Sequence, residues 1–149
     1  MNVIVVGVDH SDGAKAALAF AYEEARLRNA KLRAVNAWQY GYNGYIGFES
    51  AVPAGGVDVS ELRAAAVDAL DTIVREALPH AEGVEIEQRL VEGTAGAVLV
   101  EQSREADLLV VGSRGHGGFA QLLLGSVSQQ CAQHAACPVV IVRSSESAH

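Results

Sequence analysis

The chain has 149 residues, of which 50% are hydrophobic and 19% charged. One hydrophobic core usually serves about 100–200 residues, so a single folded domain is expected and wholesale disorder is excluded. A net charge of −7 works against a broad electrostatic grip on DNA or RNA.

From the N-terminus, Val3 to Val8 is β-branched almost throughout and lacks alternation, the pattern of a parallel strand buried on both faces. It carries no basic n-region or small-residue cleavage site, and no apolar run approaches the ~20 residues that span a bilayer. A cytoplasmic protein without membrane contact is therefore expected. Asp9-His10-Ser11-Asp12-Gly13 ends the strand, and Ser11 or Asp12 can cap a helix that repeats Ala14, Leu18, Ala21 and Ala25 and ends near Asn29. Leu32, Ala34 and Asn36 then alternate with Arg33, Val35 and Ala37 in a second strand. From Trp38 to Val59 no period is visible, and the segment exceeds the usual ~12–15 residue ceiling for a structureless connection. It holds five of the eight aromatics (Trp38, Tyr40, Tyr42, Tyr45, Phe48), which suits a lid, a subunit contact or a cover over the sheet edge.

Leu62, Ala66, Ala69, Ile73 and Ala77 mark a second amphipathic helix, capped by Ser60 and closed by Pro79. Val84, Ile86 and Gln88 alternate with Glu85, Glu87 and Arg89, as in a half-exposed edge strand. Gly93-Thr94 starts a third helix that runs to about Ser103, and Asp107 leads into the apolar strand Leu108–Val111. After a glycine-rich segment, Ser126 opens a last helix to about Ala135. Cys131 and Cys137 are too few for a disulfide framework and lack C-x-x-C spacing, so both are expected as reduced thiols. Pro138 to Arg143 is the final strand, and residues 144–149 form a polar, frayed tail.

Strands and helices alternate along residues 1–143, which predicts one doubly wound parallel α/β domain. Such folds bind ligands beyond the carboxyl ends of their strands, where the strand order reverses. Attention therefore falls on Asp9-His10-Ser11, Ala37-Trp38 and the chain from Gly112 onward. Between Gly112 and Ser128 the sequence is rich in glycine, which lets backbone N–H groups approach a phosphate, and the helix from Ser126 adds unpaired donors. The hydroxyls of Ser126 and Ser128 are further candidate donors. Arg114 is either a phosphate fork or a solvent-facing loop residue. Residues 1–111 hold 17 acids and 9 bases, whereas residues 112–145 hold Arg114, Arg143 and no acid. An acid-free island in an acidic chain suits an anion pocket.

Known phosphate motifs fit poorly. No lysine completes a Walker A loop. Gly115, Gly117 and Ala120 match G-x-G-x-x-A, but no acid follows about 20 positions on to hold a ribose. The third strand ends Leu90-Val91, without the phosphoacceptor Asp of a response regulator. Instead, Gly112-x-x-Gly115, nine residues and Gly125-Ser126 resemble the G-x-x-G-x9-G-[S/T] signature of the universal stress protein family. The resemblance covers nearly the whole chain, including Val5-Val6-Gly7-Val8-Asp9-x-Ser11, Ala106 to Gly112, and Cys137-Pro138-Val139.

The resemblance implies a Rossmann-like five-stranded parallel sheet in order 3-2-1-4-5, binding ATP, or AMP or ADP, between the first and fourth strands. By matching positions, Asp9 would sit near the ribose and a Mg²⁺ ion, and the Ala37 backbone near adenine. Gly112, Arg114, Gly115, Gly125, Ser126, Val127 and Ser128 would surround the ribose and phosphates. It also implies a homodimer through the last strand, Val139, Val140, Ile141 and Val142, an apolar edge that pairing would cover. The residues alone leave Asp9 open between capping the first helix with Ser11 and holding the metal.

No catalytic constellation is legible. His10 and His116 read as solvated loop residues, and Cys131 with His134 as structural. A stress-response nucleotide-binding protein is therefore expected, in which occupancy alters dimer or partner surfaces and hydrolysis is slow at most. The competing readings are an ATPase or phosphotransferase with the 38–59 segment as its lid, and a ligand-free dimeric adaptor.

Overall fold

In the computed structural model, residues 2–9, 11–39, 59–113 and 124–143 are described. Five strands and four helices alternate among them: β1 (Val3–Gly7), α1 (Asp12–Arg28), β2 (Lys31–Trp38), α2 (Val59–Ala77), β3 (Ile86–Glu92), α3 (Ala95–Ser103), β4 (Leu108–Gly112), α4 (Ser126–His134) and β5 (Val139–Val142). All neighbouring strands pair in parallel, in the order β3-β2-β1-β4-β5. The chain thus winds away from β1 in both directions, as the sequence pattern predicts, and the reversal lies between β1 and β4.

The unbroken apolar runs become central strands because both faces of the sheet are roofed. On one face Ile4, Val6, Leu32, Ala34 and Val110 pack with Leu18 and Ala21 of α1 and Leu70 and Val74 of α2. On the other, Val5, Val35, Leu109 and Val111 pack with Val98 and Leu99 of α3 and Cys131 of α4. Burial pushes the Cys131 thiol up to about 11 and, together with the nearby Asp107 carboxylate, raises that of Cys137. Protonated thiols are poor nucleophiles.

Helix ends follow local chemistry. Ser11 caps α1, its Oγ accepting the Ala14 N–H at 3.3 Å, and Asn29 closes the helix at φ 55°, where a short polar side chain tolerates the left-handed region. One boundary differs from expectation. Helix α2 begins at Val59, so Ser60 lies within its first turn and is not its N-cap. Trp38 is likewise the buried last residue of β2. The sequence pattern treats it as the start of the long connection. Residues 40–58, the tail 144–149, His10 and His116 lie outside the described residues.

On the α3 side of β2 and β3, charged side chains take the place of an apolar roof. Arg33, only 6% exposed, donates through Nε to Glu87 Oε1 at 3.0 Å and through Nη1 to Glu105 Oε1 at 2.8 Å. Arg89 Nε lies 2.6 Å from Glu87 Oε2, and Lys31 Nζ lies 3.2 Å from Glu87 Oε1. Burial by itself raises the Glu87 carboxyl, but hydrogen bonds from Arg89, Arg33 and Lys31 outweigh it and hold the group at about 2.

Candidate functional site

A cleft opens beyond the carboxyl ends of β1 and β4, at the reversal point where doubly wound folds bind their ligands. Its floor is apolar, formed by Gly7, Val8, Val35 and Val111 with Leu99 of α3. Asp9, Ser11 and Ser128 supply the polar part of its wall. Its rim also includes the starts of three helices: Ser11 and Ala14 from α1, Ala95 from α3, and Val127 and Ser128 from α4. The N-caps of α3 and α4, Thr94 and Gly125, make no side-chain cap hydrogen bond. Residues from the starts of three helices thus line one cavity, and the positive ends of helix dipoles suit an anion.

Each polar wall residue has a structural partner. Asp9 Oδ1 accepts from Ser11 N at 2.9 Å and from Ser11 Oγ at 2.5 Å, so the carboxylate fixes the residue that caps α1 while also lining the cleft. Ser128 departs from its expected use as a free donor. Its buried hydroxyl lies 3.0 Å from both the Ser113 and the Gly125 carbonyl oxygens, and its one proton is committed there. Gly125 N also donates to Ser113 O at 2.7 Å. Ser113 and Gly125 thereby tie together the two ends of the glycine-rich segment, which returns the chain from β4 to the start of α4.

Gly112 sits at a close approach. A Cβ at this position would lie 3.3 Å from the Gly13 carbonyl oxygen, in the first turn of α1. Of the residues singled out in the sequence, Asp9, Ala37, Gly112, Val127 and Ser128 line the cleft. Gly125 is buried beside it and Ser126 is exposed at the head of α4, and neither is among the lining residues. Arg114 and Gly115 lie outside the described residues. Among the described residues no group of three or more His, Cys, Asp or Glu could hold a metal ion, and no helix is long and apolar enough to cross a membrane.

Sequence reasoning missed Ala95 and Leu99. The signal was present in the topology: Gly93-Thr94 follows a strand parallel to β1, so the next helix must begin at the same end of the sheet. Helix α3 also approaches β1 closely, since a Cβ on Gly7 would lie 2.7 Å from Leu99 Cδ1.

Comparison with known proteins gives a consistent result. The model of the universal stress protein family matches residues 1–143. Universal stress protein Rv2623 of Mycobacterium tuberculosis is 35% identical over 150 residues, covering 95% of this chain and 45% of that protein. Rv2624c from the same organism is 33% identical over 144 residues, covering 97% of this chain and 49% of that protein. The chain thus spans about half the length of these curated relatives. Among solved structures, a universal stress protein in complex with cAMP is 32% identical with a TM-score of 0.68, covering 95% of this chain and 96% of that one. An Archaeoglobus fulgidus universal stress protein in complex with dAMP is 24% identical with a TM-score of 0.59, covering 95% and 96%, a likeness that speaks for the fold.

Proposed function

The chain belongs to the universal stress protein family, and on that premise we propose that it binds an adenine nucleotide, ATP foremost, in the cleft between β1 and β4. The observation that carries this reading is the meeting of three helix starts around one cleft with an apolar floor. The floor suits a base and the N–H groups suit phosphates. The cAMP complex of a relative with 32% identity supports the adenine class. In this reading Gly112, Arg114, Gly115, Gly125, Ser126, Val127 and Ser128 surround the ribose and phosphates. Asp9 would be the protein carboxylate offered to a Mg²⁺ ion brought in with the phosphates, an ion that prefers oxygen ligands.

Native purification without added nucleotide, followed by denaturation and chromatography, tests the reading. Near-stoichiometric ATP or AMP is expected from the wild type and none from a Gly115→Val, Ser126→Ala variant. An empty wild type that also fails to titrate with ATP and Mg²⁺ up to millimolar concentration overturns it.

Nucleotide occupancy acts on a dimer or partner surface, with slow hydrolysis at most. The supporting geometry is a direct link: Ser113 N donates to Val142 O at 2.9 Å, so the residue that anchors the glycine segment also holds the end of β5. Among the described residues strand β5 is paired only with β4, and its four residues are half-buried, which suits pairing with a second copy through Val139–Val142. A homodimer is expected in sedimentation, and Ile141→Lys is expected to give a folded monomer. A monomeric wild type, or a lysine variant that remains dimeric, overturns the β5 interface.

A further inference from the structure

In a parallel ladder, a residue donates its N–H to the residue before its partner and accepts at its C=O from the residue after it. Strands β1 and β2 pair with Gly7 opposite Val35. The Val8 N–H continues the ladder, donating to Val35 O at 2.8 Å. Val8 is thus opposite Asn36, and the next donor to the Val8 carbonyl in a continued ladder is the Ala37 N–H. That carbonyl receives the Asn36 side chain: Nδ2 donates to Val8 O at 2.7 Å, with Asn36 itself buried.

The backbone direction of Ala37 follows from its neighbours. Leu32 N donates to Glu85 O and Trp38 O accepts from Gly93 N, so the even-numbered residues of β2 turn their backbone groups toward β3. The odd-numbered ones turn theirs toward β1. At Ala37, β1 has already ended, and Ala37 lines the cleft.

We propose that Asn36 is a positioning residue for base recognition: by drawing the Val8 carbonyl to itself where the ladder would continue, its side-chain amide leaves the Ala37 N–H out of the sheet and available to a ring nitrogen of the bound base. The inference rests on the nucleotide reading of the cleft. Ala37 then offers an N–H donor beside a C=O acceptor. Adenine presents the complement, the N1 acceptor beside the N6 amino donor. Hypoxanthine presents N1–H beside O6, the reverse order, so the device selects adenine over an otherwise similar purine. Val8 immediately precedes Asp9, so the same hydrogen bond also anchors the turn that carries this carboxylate.

The test is Asn36→Leu, close in volume and without a donor, with amide exchange of the nucleotide-free protein measured beside ATP and ITP affinities. The Ala37 amide is expected to exchange rapidly in the wild type and to be protected at least about tenfold in the variant, where it takes the vacated carbonyl. The wild type is expected to prefer ATP over ITP by about tenfold or more, and the variant to lose most of that preference through weaker ATP binding. Asn36→His, which keeps an N–H at the corresponding position, is expected to restore both readouts. If the leucine variant does not fold, Asn36→Asp, isosteric and without the amide donors, carries the same comparison. A protected Ala37 amide in the nucleotide-free wild type overturns the proposal, as does undiminished discrimination in a folded leucine or aspartate variant. A wild type that binds neither nucleotide overturns it together with the site reading, a result distinct from discrimination that survives in a variant that binds.

Discussion

Gly112→Val is expected to weaken ATP binding at least about a hundredfold, equivalent to about 2.7 kcal/mol, while the domain remains folded. A Cβ at this position already lies 3.3 Å from the Gly13 carbonyl oxygen and 3.4 Å from its carbon. These are backbone atoms in the first turn of α1 and cannot rotate aside as a side-chain end would. Valine adds two methyl groups to that contact, and they must either push the start of α1 away from β4 or occupy the cleft that Gly112 lines. Both outcomes spoil a cavity whose value lies in the placement of backbone N–H groups. Overpacking of this kind costs about 1–3 kcal/mol of stability, so the melting temperature is expected to fall by several degrees. Gly112→Ala, with the Cβ alone, is expected to lie between the two. Titration calorimetry beside thermal melts checks the prediction, and a valine variant with wild-type affinity would refute the proposed role of this close approach.

Glu87→Ala is expected to be the larger loss of stability, about 3 kcal/mol, measured by urea or thermal unfolding. The carboxylate serves Arg33, Arg89 and Lys31 together, and its removal leaves the 6%-exposed Arg33 with Glu105 and Gln102 alone. Arg33→Met, Glu87→Met is expected to recover part of the loss, because the buried charge is removed together with its partner. By contrast, Glu76→Ala, which breaks the exposed pair with Lys15, is expected to cost under about 1 kcal/mol. The pH dependence carries a definite sign. Glu87 titrates at about 2 in the folded protein against an ordinary value of 4.5, so the folded state binds fewer protons than the unfolded one through that interval. Its contribution is complete above about pH 4.5 and is lost as the pH falls toward about 2. The stability difference between wild type and Glu87→Gln is expected to be flat near neutrality and to shrink below about pH 4.5. A difference that stays constant down to about pH 3 would show that the carboxylate is not held by its partners.

Much of the fold is legible because its signals are local. The β-branched run Val3–Val8 and the run Leu108–Val111 identify strands covered on both faces, and Ser11 and Asn29 mark the ends of α1 by their own side-chain and backbone preferences. Alternation from Val84 to Arg89 places β3 at an edge, where it lies. Local pattern is less informative about boundaries: Ser60 is a good N-cap residue type, yet α2 begins one residue earlier. Period-two alternation likewise assigns Arg33 and Glu87 to a face of the sheet without telling whether water or another charge covers it.

The sequence by itself determined the order of strands and helices, the doubly wound class, the family, and the three chain segments that end at the reversal point. Those properties follow from residue type, short-range periodicity and motif spacing. Only the tertiary structure decided that Leu99 floors the cleft, that the Ser128 proton is committed to two carbonyls, that Asn36 interrupts a ladder, and that Arg33 is roofed by Glu87 and Glu105. Several of the partners involved are far apart in sequence, Ser128 lying 15 residues from Ser113 and Arg33 72 residues from Glu105. Their meeting depends on strand register and helix placement across the sheet, which no local pattern encodes.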